Sequence, residues 1–307
     1  MKKPVYDTLI IGPMSLDIMI DCEGKEEHLV GGAVVQSGYA ASNTGARCAV
    51  FTKLSPADAD IYQAFADCPA DVYWKVSKKT TSIRNRYFTP DKERRECTLL
   101  SCCDPFTFSD LPPVSARIYH FAGLVYGDFS EEMFQEASGH GLVAVDVQCL
   151  LRHGERDGSM TYHDWENKKE FLPYIDFLKA DAAEAKVLTG TDDRREAARI
   201  LHDLGAGEVM ISEGSEILVY DGNEYYTCPI LSRNLSGRTG RGDTVFAGYL
   251  VERLKYEIPD ALRFATALVS LKMETPGPFK GTREDVLSYS RSFYAGVSRR
   301  DGVRSHT

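Results

Sequence analysis

Short apolar runs alternate with segments of helical period along most of this chain. Strand-like runs are found at residues 7–12, 49–52, 116–121, 142–146, 209–212 and 217–220. Helical spacing of apolar residues is found at residues 34–46, 130–138, 182–188, 192–204 and 243–254. This alternation predicts an α/β fold in which helices cover a largely parallel sheet. Ligands of such sheets bind outside the carboxyl ends of the strands, so the loops that follow the strands are the first candidates for a site.

Two stretches break this alternation. Residues 18–30 and residues 82–101 each contain two short strand-like runs around a polar turn, which predicts two β-ribbons inserted into the α/β core. Such a ribbon is either a lid over the active site or an edge sheet with no part in binding, and the pattern alone does not separate these two roles. We expect a single domain over residues 1–307, with lid segments at about 18–30 and 82–101.

The composition is typical of a soluble globular protein. The chain has 307 residues, of which 43% are hydrophobic and 26% charged, and a formal net charge of −9. This negative charge argues against a nucleic-acid-binding surface spread over the whole protein. Eight scattered cysteines without a C-x-x-C pair argue against a zinc site. No window holds 18 uninterrupted apolar residues and Asp7 interrupts the first apolar run, so we expect no membrane span, no export signal and a cytoplasmic location.

The stretch with the clearest chemical character is SGRTGRGDTVFAGYL, residues 236–250. Three glycines and two arginines precede Asp243, and an apolar segment of helical period follows. Backbone N–H groups in such a turn, together with the positive end of a helix, form a cradle for phosphate or for a developing oxyanion. An aspartate in the first turn of a helix is also an ordinary capping residue. The residues themselves leave both roles open for Asp243.

Four motifs in order resemble the ribokinase-like (phosphofructokinase B type) carbohydrate kinases. Residues 240–243, GRGD, resemble the G-A-G-D signature of that family, and residues 10–17 resemble its first strand with the sugar-binding aspartate. Gly31 and Gly32, followed by Gln36, resemble the paired-glycine motif. Residues 179–190 resemble the N-x-x-E motif, with Asp181 in place of asparagine and Glu184 retained. The resemblance spans residues 7–281 and implies a three-layer α/β/α sandwich with a mostly parallel central sheet and a small β-ribbon lid.

The resemblance also implies a role for each matching residue. Asp243 would be the general base, and the backbone of Gly240, Arg241 and Gly242 would stabilise the charge that develops during phosphoryl transfer. The substrate would be bound by Asp17, Gly31, Gly32 and Gln36. ATP would be bound by Asp181, Ser212, Gly214, Gly240 and Gly242. Glu184 would orient water around Mg²⁺, because this ion keeps much of its hydration in proteins.

The chain departs from the family pattern just before the signature. Gly237 and Arg238 stand where the family has Asp-Thr, whose aspartate contributes to a monovalent-cation site, so potassium activation is not carried over to this chain. Arg241 replaces a small residue; its side chain either points away or contacts a phosphate and substitutes for the missing cation.

Three functions are consistent with these sequence features. The resemblance favours an ATP-dependent kinase that phosphorylates a hydroxyl of a sugar or sugar-like polyol, and a homodimer through the lid is possible. A nucleoside or inositol kinase of the same family fits the same motifs. The altered cation position and Arg241 also fit a catalytically silent protein that binds a metabolite and regulates another process. No nucleic acid or membrane partner is expected.

Overall fold

A large, mostly parallel sheet lies at the centre of the computed structural model, which describes residues 4–89 and 95–297. From edge to edge, its strands in these residues are β15 (Tyr225–Pro229), β14 (Glu216–Tyr220), β13 (Glu208–Ser212), β12 (Phe177–Asp181), β9 (Leu142–Asp146), β8 (Ser115–Phe121), β1 (Val5–Ile11), β4 (Cys48–Leu54) and β5 (Asp71–Val76). The pairs from β13 to β5 are parallel, and β14 and β15 are added antiparallel at one edge. The prediction of a largely parallel sheet is confirmed.

Helices cover both faces of this sheet. Within the described residues they are α1 (Ala33–Asn43), α2 (Glu132–Ser138), α3 (Gln148–Leu151), α4 (Lys168–Phe171), α5 (Ala182–Thr189), α6 (Arg194–Asp203), α7 (Arg241–Arg253), α8 (Ile258–Lys272) and α9 (Arg283–Phe293). Side chains of a strand alternate between the two faces. On β9, Val143 and Val145 therefore pack into the core of one face, with residues of α2, α5 and α6, while Ala144 packs into the other, with α7 and α8. This arrangement is the predicted three-layer sandwich.

One central strand was absent from the predicted elements. β12 is buried apart from its last residue, yet Lys179 stands in its middle and interrupts the apolar run. A second difference concerns α7, which begins at Arg241, two residues before the predicted helix. Both differences concern segments that meet at the carboxyl ends of the parallel strands, where several candidate residues lie.

A second, smaller sheet is built from the segments that were predicted as ribbons. Its strands are β3 (Glu26–Gly31), β2 (Ser15–Ile20), β6 (Thr81–Tyr87) and β7 (Arg95–Ser101), and a parallel pairing of β2 with β6 joins the two ribbons into one sheet. Nearby, β10 (Arg152–Gly154) and β11 (Met160–Tyr162) form a hairpin. Residues 90–94 of the predicted segment 82–101 lie outside the described residues. Closure of this sheet over a substrate, the single domain over residues 1–307 and the homodimer stay predictions.

Among residues 4–89 and 95–297, the helices are too short or too polar to cross a lipid bilayer.

Candidate active site

Three polar residues lie where parallel strands of the central sheet end, and the family resemblance singles out two of them, Asp181 and Ser212. Asp146 is the last residue of β9, Asp181 the last of β12 and Ser212 the last of β13. Asp181 and Ser212 are direct neighbours in the register of β12 and β13. The carboxyl edge of the sheet therefore brings together side chains that are far apart in the sequence, as expected for a binding site in this class of fold.

The glycine-rich loop leads into the amino terminus of α7 at the same edge. Gly240 precedes the helix with a φ of 76°, a left-handed backbone conformation that favours glycine. A Cβ on Gly240 would overlap Cδ of Gln36, so the Gln36 side chain lies directly against the loop. Gln36 belongs to α1, and α1 packs along α7. The packing of these two helices thus places a predicted substrate residue beside the predicted anion cradle.

Asp243 is the third residue of α7 and is half-buried. Burial raises the pKa of its carboxyl to about 6, the negative charge of Asp146 adds to the rise, and Lys179 and Lys272 oppose it. A carboxylate with this pKa is largely ionised at neutral pH and still accepts a proton readily. This is the property required of a general base.

Lys179 of β12 lies between Asp146, at the end of β9, and Glu184, in α5. Its Nζ donates to Asp146 Oδ2 at 2.9 Å and lies 3.8 Å from Glu184 Oε2. A Cβ on Gly242 would lie 3.1 Å from the same nitrogen, so the ammonium also reaches the loop at the start of α7. Burial disfavours the ammonium, but the charges of Asp146, Glu184 and Asp243 outweigh burial and raise the pKa of Lys179 above its ordinary value.

Asp181 and Glu184 hold each other through a capping box at the start of α5. The Asp181 carboxylate accepts from the Glu184 N–H at 2.8 Å, and the Glu184 carboxylate accepts from the Asp181 N–H at 2.7 Å. Glu184 is buried, and burial raises its pKa above the ordinary range although Lys179 opposes the rise. Gly214 lies two residues beyond Ser212, in the exposed turn between β13 and β14, with open space around it.

The remaining predicted substrate residues lie where the small sheet meets α1. Asp17 belongs to β2, and a Cβ on Gly31 would overlap its Oδ2, so this carboxylate passes directly over the Gly31 backbone. Gly32, with a φ of 108°, turns the chain from β3 into α1. Ser15, which the motifs did not single out, also lies against Gly31. Its Oγ and the Oε1 of Gln36 are buried and have no hydrogen-bond partner within the described residues.

The predicted residues thus form three contacting groups: Asp17 with Gly31; Gln36 with the loop at Gly240–Asp243; and Asp181 with Glu184 and Ser212. Lys179 joins the second group to the third. It was missed because a lysine inside a strand carries no motif, although a charged residue in an otherwise buried strand is itself a signal. Arg241 is the first residue of α7, and its N–H donates to Arg238 O at 3.3 Å.

A model of the pfkB family of carbohydrate kinases matches residues 89–284. The chain belongs to this family. A solved pyrophosphate-dependent kinase in the ribokinase family, complexed with a pyrophosphate analog and myo-inositol, is 37% identical, and the match covers 92% of this chain and 99% of that one with a TM-score of 0.84.

Two further relatives of this pfkB-family chain are more distant. The ribokinase of Arabidopsis thaliana, complexed with ribose and ATP, has the same fold, with a TM-score of 0.75, 19% identity, and coverage of 95% of this chain and 99% of that one. The cytidine kinase of Thermococcus kodakarensis is 25% identical over 263 residues, 80% of this chain and 88% of that protein. The pfkB-family protein is a phosphotransferase that acts on hydroxyl groups, so the prediction of a kinase is confirmed.

Proposed function

We propose that this protein transfers a phosphoryl group to a hydroxyl of a cyclic polyol of the inositol class, with Asp243 as the general base. The observation that carries the proposal is the position of Asp243 in the first turn of α7, directly after a loop whose Gly240 lies against the Gln36 side chain and whose Gly242 lies against the Lys179 ammonium. An acceptor hydroxyl held beside Gln36 would lie next to both the base and the anion cradle.

The proposed reaction is an in-line displacement. The acceptor oxygen attacks a terminal phosphorus of the donor, the bond from that phosphorus to the bridging oxygen breaks, and Asp243 accepts the hydroxyl proton. The backbone N–H groups of Gly240, Arg241 and Gly242 and the positive end of α7 stabilise the charge on the transferred group. Positioning and electrostatic stabilisation of this kind provide most of the catalysis in phosphoryl transfer.

The acceptor class follows from the oxygen atoms that line the small sheet and α1. Asp17, Gly31, Gly32 and Gln36 form our proposed substrate side, with Ser15 added to them. The buried Ser15 Oγ and Gln36 Oε1, which have no hydrogen-bond partner among the described residues, are suited to a substrate with several hydroxyl groups. The relative at 37% identity, which is complexed with myo-inositol, supports a cyclic polyol over an open-chain sugar. A nucleoside, the substrate class of the 25% identical cytidine kinase, is the second acceptor to test.

For the donor we propose pyrophosphate as the first candidate and ATP, the donor expected from the sequence, as the second. Pyrophosphate has no base or ribose, so a site for it must hold the phosphates by charge and hydrogen bonds alone. The loop at Gly240–Gly242 has a buried Lys179 on one side and Arg241 at its centre. Asp181, Ser212 and Gly214 retain their proposed place beside the donor. The 37% identical relative is pyrophosphate-dependent, which supports this order.

Magnesium fits this site through water. The described residues contain no cluster of three or more His, Cys, Asp or Glu side chains arranged to ligate a metal directly. Glu184 has its Oε2 engaged by the Asp181 N–H and lies near the Lys179 ammonium, which suits a contact with hydrated Mg²⁺ rather than a direct bond. Bound with the donor, the ion would neutralise phosphate charge.

The test measures turnover with each donor against myo-inositol, simple sugars and nucleosides. Release of orthophosphate reports pyrophosphate use, release of ADP reports ATP use, and phosphorus NMR of the product shows that the acceptor is phosphorylated. We expect Asp243→Asn to lower kcat by about 10²–10⁴-fold, because the general base is lost while the backbone cradle remains.

Asp260→Asn is the matched control, because Asp260 is the third residue of α8 just as Asp243 is the third residue of α7. This variant should keep wild-type turnover. An Asp243→Asn enzyme with near wild-type kcat would rule out the proposed base. Thermal stabilisation by myo-inositol without turnover on any donor would favour the silent metabolite-binding protein.

A further inference from the structure

A buried lysine lies against the loop that leads into the anion cradle. Lys272 is the last residue of α8, with 2% of its surface exposed. Its Nζ donates to the carbonyl oxygen of Gly237 at 2.7 Å and to that of Thr239. Both carbonyls belong to the loop that leads to Gly240. The family resemblance gave Lys272 no role.

The loop is pressed against the segment that follows α8. The Gly237 N–H donates to Met273 O at 2.7 Å, and a Cβ on Gly237 would overlap Thr275 O. Position 237 therefore has no room for a carboxylate of its own. The two converging carbonyl oxygens repel each other, and they need a positive charge between them to stay in this arrangement.

Fixing these carbonyls also fixes the direction of the N–H groups that follow them. In a trans peptide unit the C=O of one residue and the N–H of the next point in opposite directions. When the Thr239 carbonyl points to Lys272, the Gly240 N–H points away from Lys272, on the opposite side of the loop. A charge-assisted contact at the back of the loop thus orients a donor of the anion cradle at its front.

We propose that Lys272 is a built-in monovalent cation: its ammonium holds the carbonyls of Gly237 and Thr239, orients the cradle and makes phosphoryl transfer independent of an added alkali-metal ion. Lys272 is then a positioning residue, since it acts through the loop, and the inference rests on the proposed function. Lys272, rather than Arg241, then supplies the positive charge that a monovalent cation supplies in the family pattern. Burial lowers the pKa of Lys272 to about 8 while Asp243 opposes the decrease, so the ammonium stays charged at neutral pH.

The experiment compares the full-length wild type with Lys272→Met in buffers whose only monovalent cation is tetramethylammonium, with and without potassium or ammonium chloride. We expect the wild type to show the same kcat in every buffer. Lys272→Met should have a kcat about ten- to hundredfold lower with an unchanged KM for the acceptor, because one charge-assisted contact is lost. Potassium or ammonium should restore much of that kcat, and Lys272→Arg should retain more activity than Lys272→Met.

The control is Lys280→Met. Lys280 lines the same cavity as Lys272, about 480 Å³ in volume, but is exposed and pairs with Asp67 at 2.6 Å. This variant should keep the wild-type kcat and show no response to potassium. Circular dichroism establishes that each variant is folded.

Strong activation of the wild type by potassium would overturn the inference, even if Lys272→Met fails to fold. A folded Lys272→Met enzyme with full activity in the absence of potassium, or with a low activity that no cation restores, would also overturn it. If no acceptor is phosphorylated, the proposed function fails separately. The inference is then tested by the melting-temperature shift that pyrophosphate produces, which should need potassium in Lys272→Met but not in the wild type.

Discussion

Replacing Gly240 by alanine tests the geometry of the site at its tightest point. The φ of 76° lies in the left-handed region, where a residue with a Cβ costs about 1–2 kcal/mol. The new Cβ would also overlap the Gln36 side chain, and overpacking typically costs about 1–3 kcal/mol. Gln36 is flexible and relieves part of this overlap by moving away. We therefore expect Gly240→Ala to lower the free energy of unfolding by about 2–4 kcal/mol.

The displaced Gln36 side chain should also impair the reaction. It would leave its position beside the loop, so kcat/KM for the acceptor should fall by at least about tenfold, since small misplacements in an active site have large effects on rate. Urea unfolding followed by circular dichroism gives the free energy of unfolding, and steady-state kinetics gives kcat/KM.

Gly190→Ala separates backbone strain from overlap. Gly190 ends α5 with a φ of 79°, close to that of Gly240, but a Cβ there would meet nothing within 4 Å. This variant should lose only about 1–2 kcal/mol and keep wild-type kinetics. In the double variant Gln36→Ala/Gly240→Ala the two effects on stability should not add, because the overlap is gone. Equal losses of stability in Gly190→Ala and Gly240→Ala, with an unchanged kcat/KM in Gly240→Ala, would refute the contact between Gly240 and Gln36.

Two further predictions concern the charges around the loop. The kcat/KM should rise as the pH increases through about 6, because Asp243 must be ionised and burial raises its pKa to that value. Asp146→Asn should shift this rise in kcat/KM to lower pH, because the charge of Asp146 adds to the increase in the Asp243 pKa. A rise centred on the ordinary pKa of an aspartate would contradict the assignment of Asp243 as the base. Lys179→Met should lower the free energy of unfolding by about 3–5 kcal/mol, because it leaves Asp146 and Glu184 buried without their counter-ion. The control is Lys186→Met, because Lys186 pairs with Asp192 on the surface, and this variant should leave the free energy of unfolding in urea nearly unchanged. An equally small effect of Lys179→Met would show that the buried ion pairs of Lys179 do not form in solution.

The alternating pattern and the motifs were sufficient to predict the fold class, whereas the roles of the candidate residues stay predictions. Alternating strand and helix patterns are properties of neighbouring residues, so most of the parallel strands and several of the helices could be predicted without tertiary contacts, although β5 and β12 were missed. The same holds for the glycine-rich turn before α7. The capping box of Asp181 and Glu184 was not predicted, although its partners are only three residues apart. The two ribbons were also visible in the sequence. Their union into one sheet could not be predicted, because it depends on the pairing of β2 with β6, two strands that are more than sixty residues apart along the chain.

The electrostatics of the site was decided by the tertiary structure. In the sequence, Lys272 is a cation in the last turn of a helix, a common position in which it interacts favourably with the helix dipole. Packing of the loop against the end of α8 turns its ammonium toward the carbonyls of Gly237 and Thr239. Lys179 was given no role from the sequence, and only the meeting of β9, α5 and α7 surrounds it with carboxylates. A sequence pattern records which face of an element is buried, whereas the energy of a buried charge depends on neighbours that come from distant parts of the chain.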